Sequence, residues 1–456
     1  MSALRIALFG LSMELCYLTF FFVPEGPEEV LLFIGVNVAT FLLLAWVAWL
    51  LRNGKSSTEG SRGILLLIVA FGVLFRLTLV PHPVVGSDDV YRYLWDGKVA
   101  ASGVNPFAYV PTDPHLSHLA SADLPAKVNH AELRTLYPAL AEALFLLSHK
   151  LFGESAAGLK LLLVGLDCLT MVLLWALLRR RGGSTLALLL YAWSPLPIMY
   201  FGLDGHIDAL GIPFLVLSLF YFTTNRRLLA AVALGLSALA KLVPLILVPL
   251  LLRLDKGVRR LLYPAVPVLL VVCGYLVYYE PSLGMVESLK TFGVHWEFNG
   301  SLFSLIFFFT GSNETAHRAM AVMIVCWIAF LAVIDRPLPE KIFWGFVGFI
   351  LLSPVVHPWY LTWLAALLVV RWSTAVFAFL GLSNIANIVV YQYRAFGEWN
   401  DQPLLLFLEY VPVFVLLVRE VMRGEVLRSG EAGNRNGDPL AGFTSMRGNR
   451  HDDTVA

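Results

Sequence analysis

The sequence is short of charge. Asp, Glu, Lys and Arg supply 14% of its 456 residues, where a soluble protein carries about 25%. That excludes an ordinary water-soluble globule and, with no basic stripe, a nucleic-acid binder. Cysteine is scarce too. Cys16, Cys168, Cys273 and Cys326 each stand alone in an apolar run, with no CxxC pair, which excludes a disulfide framework or a cysteine-held metal. No GxSxG, HExxH, Walker or dinucleotide fingerprint occurs, so the common soluble chemistries are excluded. No tandem repeat is visible. No small-residue cleavage site follows the first apolar run; Pro24-Glu25-Gly26-Pro27-Glu28-Glu29 does, so that run reads as a span and not a signal peptide.

What fills the chain is apolar. Hydrophobic residues make up 58%, and runs of about 20, enough to cross a ~30 Å hydrocarbon core, recur from end to end. The expected fold is an all-α polytopic membrane protein of about 12–14 transmembrane helices, with interfacial helices in the first external loop. Residues 1–62 form a transmembrane hairpin and a basic loop carrying Arg52, Lys55 and Arg62. Residues 63–421 form the main membrane domain, with an external loop over 82–136. Residues 422–456, Gly-, Asn- and Asp-rich, form a disordered tail. Basic loops stay in the cytoplasm, so both termini are expected inside and the Asp88-Asp89 stretch outside. The run 228–252 has basic residues at both ends and is expected to bend near Lys241-Leu242-Val243-Pro244.

By this topology every polar cluster in apolar context falls on one side: Asp88, Asp89 and Arg92; His206 and Asp208; Lys241 at depth; His295 and Glu297; His357 and Tyr360. Charge in hydrocarbon costs about 2.5–3.5 kcal/mol on insertion scales, so each needs a partner, water or a task. Ser87 suits the N-cap of a surface helix over 88–102. Asp88, Arg92 and Asp96 share one face of it at i, i+4, i+8, which reads as an acid–base–acid ladder or as a carboxylate and a phosphate-gripping guanidinium. Lys241 either snorkels, pairs with a neighbour such as Asp208, or meets an anionic headgroup. His206 and His357 read equally as hydrogen-bonded core histidines.

At these residues the chain resembles a known family. Gly86-Ser87-Asp88-Asp89-Val90-Tyr91-Arg92-Tyr93-Leu94-Trp95-Asp96-Gly97 and Gly103-Val104-Asn105-Pro106-Phe107 are similar to the first external loop of GT-C glycosyltransferases, polytopic enzymes that use polyprenyl-phosphate sugars, typically mannose. Tyr137-Pro138, Gly205-His206-Ile207-Asp208, Lys241 with Pro244 and Pro249, and His357-Pro358-Trp359-Tyr360 extend the likeness over about residues 63–420. The nearest flavour is the bacterial mannosyltransferase-like group akin to the glycosylphosphatidylinositol mannosyltransferases. The resemblance implies a polyprenyl-phosphate sugar donor and a glycan or glycolipid acceptor. It puts the catalytic acids on Asp88 and Asp89, with Asp88 the expected base. Arg92, Lys241, His357 and Tyr360 are implied carrier-phosphate ligands, and Tyr91, Trp95, His206, Asp208 and His295 line the substrate pocket. A divalent cation, Mg or Mn, has the acidic pair as its candidate ligands. The rival readings are a lipid-linked sugar transporter or flippase, which predicts inverted repeats and midplane polar residues, and a glycan ligase or polymerase. The expected location is the cell inner membrane, with the site external. A cysteine placed at Ser87, in a background freed of the four native cysteines, is expected to react with an impermeant maleimide from outside; labelling from the cytoplasmic side alone reverses the topology.

Overall fold

The computed structural model describes residues 2–53, 61–279, 287–400 and 402–423. The expected tail falls, from residue 424 on, outside the described residues. Among those described, seven helices are long and apolar enough to cross a membrane, or eight if the pair Thr185–Ala192 and Pro195–Leu203, bent by 48°, is one span. The all-α polytopic architecture stands. Other expected crossings are pieces of 10–17 residues, among them Asp208–Thr223, Arg227–Ala240, Val243–Arg253 and Pro358–Val370, while the last is the 20-residue helix Pro403–Met422.

Six helices build the first part of the bundle. α1 (Ala3–Leu18) and α2 (Pro27–Asn53) form the N-terminal hairpin, and α3 (Ser61–Leu79) packs on α1. α4 (Asp89–Ala101) and α5 (Ala139–Phe152) flank the long connection before α6 (Ala156–Arg180). Local chemistry sets several ends. Pro27 opens α2 with Glu28 and Glu29 in its first turn, and the Ser155 side chain caps α6 by accepting from Gly158 N–H at 3.1 Å. α5 ends at Gly153, whose φ of +62° suits glycine alone.

Deep in the bundle, Arg76 of α3 and Asp167 of α6, both fully buried, form an ion pair. Tyr191 donates to the same carboxylate, and the guanidinium also donates to the carbonyls of Gly72 and Ala192 at 2.7 Å. Removing either charge strands the other in hydrocarbon, so the pair locks α3, α6 and the bent segment together.

The expected surface helix differs in two ways. It starts at Asp89; Asp88 occupies the N-cap, and Ser87 Oγ accepts from the Asp89 N–H at 3.3 Å. It is also sunk into the protein, with Arg92 through Gly97 all buried. The cause is α5. Tyr93 stacks on Phe145 (4.7 Å between centroids, 8°) and meets Tyr137 edge-on (5.0 Å, 87°). Gly97 lets the two backbones touch, since a Cβ there would stand 2.3 Å from the Phe145 carbonyl oxygen.

The expected bend is found. The helix ends at Ala240, Lys241 is extended, and Val243–Arg253 continues as 3₁₀ turns. Pro244 and Pro249 lack the N–H groups an α-helix needs there. Gly97→Ala should cost about 1–3 kcal/mol by overpacking, read as a lower melting temperature in detergent, whereas Gly35→Ala, with nothing within 4 Å of its added Cβ, should not destabilise the fold.

Candidate active site

Five segments meet at one place: the turn before α4, the connection around Asn129, the link Asp204–Asp208, the break at Lys241, and His357–Trp363. The first is fastened by Asp204. Its carboxylate accepts from the N–H groups of Val85 (2.8 Å) and Gly86 (3.0 Å). Residue 86 has to be glycine, because a Cβ would fall 2.6 Å from Asp204 Oδ2. Burial pushes the Asp204 carboxyl up to about 7, against the pull of those two donors. Lys160 ties the same turn from behind, donating to the carbonyls of His82 and Leu203.

Held this way, the acidic pair diverges. Asp88 is exposed, while the Asp89 side chain is only 23% exposed and faces inward. The Asn129 amide bridges them, donating to Asp88 Oδ1 at 2.8 Å and Asp89 Oδ1 at 3.0 Å. Burial, with the neighbouring Asp88 charge, pushes the Asp89 carboxyl up to about 6, and Asn129 opposes the shift. Asp89 Oδ2 lies 3.6 Å from His206 Nδ1, just outside hydrogen-bonding distance.

His206 is fully buried, and neither ring nitrogen has a hydrogen-bond partner among the described residues. Its ring stacks with Trp359 (4.0 Å, 18°), which also stacks with His357 (4.1 Å, 7°). His357 in turn stacks with Phe298 (4.6 Å, 26°). Burial, helped by the Lys241 charge, holds His206 well below the usual histidine range and His357 down to about 3. Both imidazoles are therefore neutral near pH 7.

Asp208 opens the helix Asp208–Thr223 and Lys241 closes the helix Arg227–Ala240, so each charge complements its own helix end. The two also pair, with Lys241 Nζ 2.8 Å from both Asp208 oxygens. Trp363 Nε1 donates to Asp208 Oδ1 at 2.6 Å, and the ammonium sits 4.2 Å from the centre of the Tyr360 ring. A small hollow of about 10 Å³ lies beside it, walled by Val243, Phe346, Phe349 and Ile350.

Of the residues expected at the site, the structure gathers Asp88, Asp89, His206, Asp208, Lys241 and Tyr360, with His357 joined through the stack. Tyr91 lies at the edge, half-buried, with Lys127 Nζ 5.2 Å from its ring centre. Trp95 is inside the α4 packing, 1% exposed, and His295 is exposed at the end of the helix Glu287–His295. Arg92 is turned away from the pair. Its Nε lies 3.2 Å from both oxygens of Asp96, and Nη2 donates to the Leu133 carbonyl at 2.9 Å. The ladder thus closes between Arg92 and Asp96, while Asp88 bonds to Asn129. Four residues were not foreseen as part of the site: Asn129, Asp204, Trp359 and Trp363. Trp363 shares a helical face with Tyr360 at i, i+3, and Asp204 adjoins a noted motif; Asn129 carries no local signal. Among the described residues no group of three or more His, Cys, Asp and Glu stands in a metal-holding arrangement.

A buried carboxylate of raised pKa beside a positioned cation and an apolar hollow suits transfer to a hydroxyl. A family model described as alpha-(1->6)-mannopyranosyltransferase, N-terminal domain, matches residues 18–254, more than half of the chain. The chain belongs to the MptA_B family. It is thus a GT-C-type mannosyltransferase, and its general activity is mannosyl transfer. No curated protein matches it. The MptA_B match takes in Asp88, Asp89, Asn129, Asp204, His206, Asp208 and Lys241; the aromatic partners His357, Trp359, Tyr360 and Trp363 come from beyond it.

Breaking the Asp208–Lys241 pair tests the geometry. Lys241→Met strands a buried carboxylate and should cost about 3–5 kcal/mol. Adding Asp208→Leu should recover much of that loss in thermal unfolding; equal stability of Lys241→Met and wild type contradicts the pairing.

Proposed function

We propose that this MptA_B protein is an inverting α-1,6-mannosyltransferase that moves mannose from a polyprenyl-phosphate carrier to a glycan or glycolipid hydroxyl at the non-cytoplasmic face. The observation that carries the reading is Asp89: a carboxylate half-sunk beside neutral His206 and bridged by Asn129, within the field of Lys241. The alpha-(1->6) linkage comes from the family description. A single displacement that makes an α-linkage requires a β-configured donor.

In this reaction the acceptor oxygen bonds to the sugar C1 as the C1–O bond to phosphate breaks. The hydroxyl proton passes to Asp89, and the electron pair leaves on the carrier phosphate. A phosphate monoester with a second pKa of about 6 is a good leaving group, so no general acid is required. Lys241 is the cation best placed for the departing charge, and the side chains beside it, Val243, Phe346, Phe349 and Ile350, are apolar as a carrier chain would require. Between the two acids, Asp89 fits the base better than Asp88, the expectation from the resemblance, because it is the one drawn inward; Asp88, exposed and bonded to Asn129, fits the acceptor side.

The test is transfer from polyprenyl-phosphate mannose by the purified chain, comparing wild type with Asp89→Asn and Asp88→Asn. A general base contributes about 10²–10⁴-fold, so Asp89→Asn should lose at least a hundredfold in kcat and Asp88→Asn less. Asp89 acts ionised, so kcat/KM should fall as pH drops through about 6 and level off above it. The neutral imidazoles add no limb there. The same raised pKa implies that the Asp89 contribution to stability is fullest below the usual carboxylate value and is lost as pH rises toward 6. A folded wild type that consumes no mannosyl phosphate, or that only moves it across a vesicle, overturns the reading; full activity in Asp89→Asn overturns the base.

A further inference from the structure

Arg92 lies three residues from Asp89 on α4 but its side chain bonds away from the acidic pair, into a buried polar network. It is buried with Asp96, and Glu142 behind them is fully buried. Burial, and then the Asp96 charge, raises the Glu142 carboxyl well above the usual range. Burial raises Asp96 as well, but there the Arg92 charge opposes the shift, and Asp96 is the carboxylate paired with Arg92. The free arm of the guanidinium reaches the Leu133 carbonyl, and Thr135 Oγ1 donates to Glu142 Oε1 at 2.7 Å. Both contacts hold one turn of the long connection. In that turn Leu133 N–H bonds the His130 carbonyl at 2.9 Å, and His130 sits at φ +46° with its ring edge-on to Trp296 (4.7 Å). The residue just before it is Asn129, whose amide bridges Asp88 and Asp89.

We infer that Arg92 is a positioning residue for the acidic pair: through the Leu133 carbonyl it fixes the 129–135 turn, and the turn sets Asn129 across Asp88 and Asp89. The inference rests on the proposed role of that pair in transfer. It gives the arginine a task inside the protein and not at the carrier phosphate. Only a fork can do it, since Nε must face Asp96 while Nη2 faces the carbonyl. A lysine offers one point of charge and loses one of the two contacts. α4 and the turn are thereby cross-tied, so that Asp89, built on the helix, and Asn129, built on the turn, keep their 3.0 Å contact.

The test uses the full-length chain in detergent with polyprenyl-phosphate mannose, and the variants Arg92→Lys, Asn129→Ala and the double. Misplacement near 1 Å costs up to about a hundredfold, so each single variant should lower kcat by about ten- to a hundredfold with KM for the carrier changed less than about twofold. Acting through one turn, the two should not multiply: the double should be no slower than the slower single. Hydrogen exchange gives a readout free of turnover. Arg92→Lys should speed exchange of the 129–135 amides and leave the helix Asn313–Val333 unchanged. Asn129→Ala, at a half-buried loop position, guards against a variant that merely misfolds. A raised carrier KM with unchanged kcat in Arg92→Lys makes the arginine a phosphate ligand and overturns the inference, as do multiplying effects or unchanged exchange. If wild type transfers no mannose, the transfer reading fails by itself, and the exchange comparison still decides whether Arg92 holds the turn.

Discussion

Lys241 and Asp208 meet where two membrane helices stop short, and the site is arranged around that meeting. Each charge stands at the helix end whose dipole favours it, and each neutralises the other across 2.8 Å. A break in a helix at this depth leaves backbone groups unsatisfied and is tolerated only where protein lines it. Here the lining is Trp363, which donates to Asp208, and Tyr360, which lies under the ammonium. Gly211 makes room for the indole, since a Cβ there would stand 2.5 Å from it.

The same rule runs through the bundle. Arg76 is answered by Asp167, Arg92 by Asp96, and Asp204 by two backbone N–H groups. Against that background two groups stand out. Asp89 keeps one oxygen toward a partner that is too far to bond, and His206 buries both ring nitrogens without a bond. Other buried groups also keep an unbonded atom, Glu142 and Arg76 among them, but these two lie side by side at the acidic pair, where the proposed reaction would bring a substrate hydroxyl. The stack of His206, Trp359 and His357 aligns the imidazoles, and burial with the Lys241 charge keeps them neutral, so that the carboxylate is the group that changes protonation near pH 6.

Much of this was legible in the residues, because hydrocarbon leaves few choices. A lysine in the middle of an apolar run, followed by two prolines, has to mark a break, and Lys241 does. Asp88-Asp89 and His206-Ile207-Asp208 were visible as polar islands. Their mutual orientation was not: His206 turns toward Asp89 and Asp208 toward Lys241, because the link Asp204–Ile207 is not helical and only Asp208 begins a helix. The partner of Arg92 was undecided for a related reason. Spacing along α4 offered Asp88 and Asp96 equally, and the choice of Asp96 was made by α5, which buries that face through Phe145 and Glu142. Asn129 was invisible because its contact spans 40 residues of a connection without periodicity.

Charge balance shows why the cation is held as it is. Asp88 and Asp208 outweigh Lys241 by one charge, since the imidazoles are neutral, and the site becomes more negative once Asp89 ionises. In the proposed reaction that charge favours proton uptake by Asp89 and opposes an arriving phosphate. The opposition is met by geometry. Asp208 grips Lys241 from the protein side, with both oxygens and at a helix N-terminus, while the side chain keeps about a fifth of its surface open. The ammonium is thus anchored without being enclosed, with the apolar side chains of Val243, Phe346, Phe349 and Ile350 beside it. In the proposed reaction an anionic headgroup would therefore reach the ammonium from that open side, against the field of the acids.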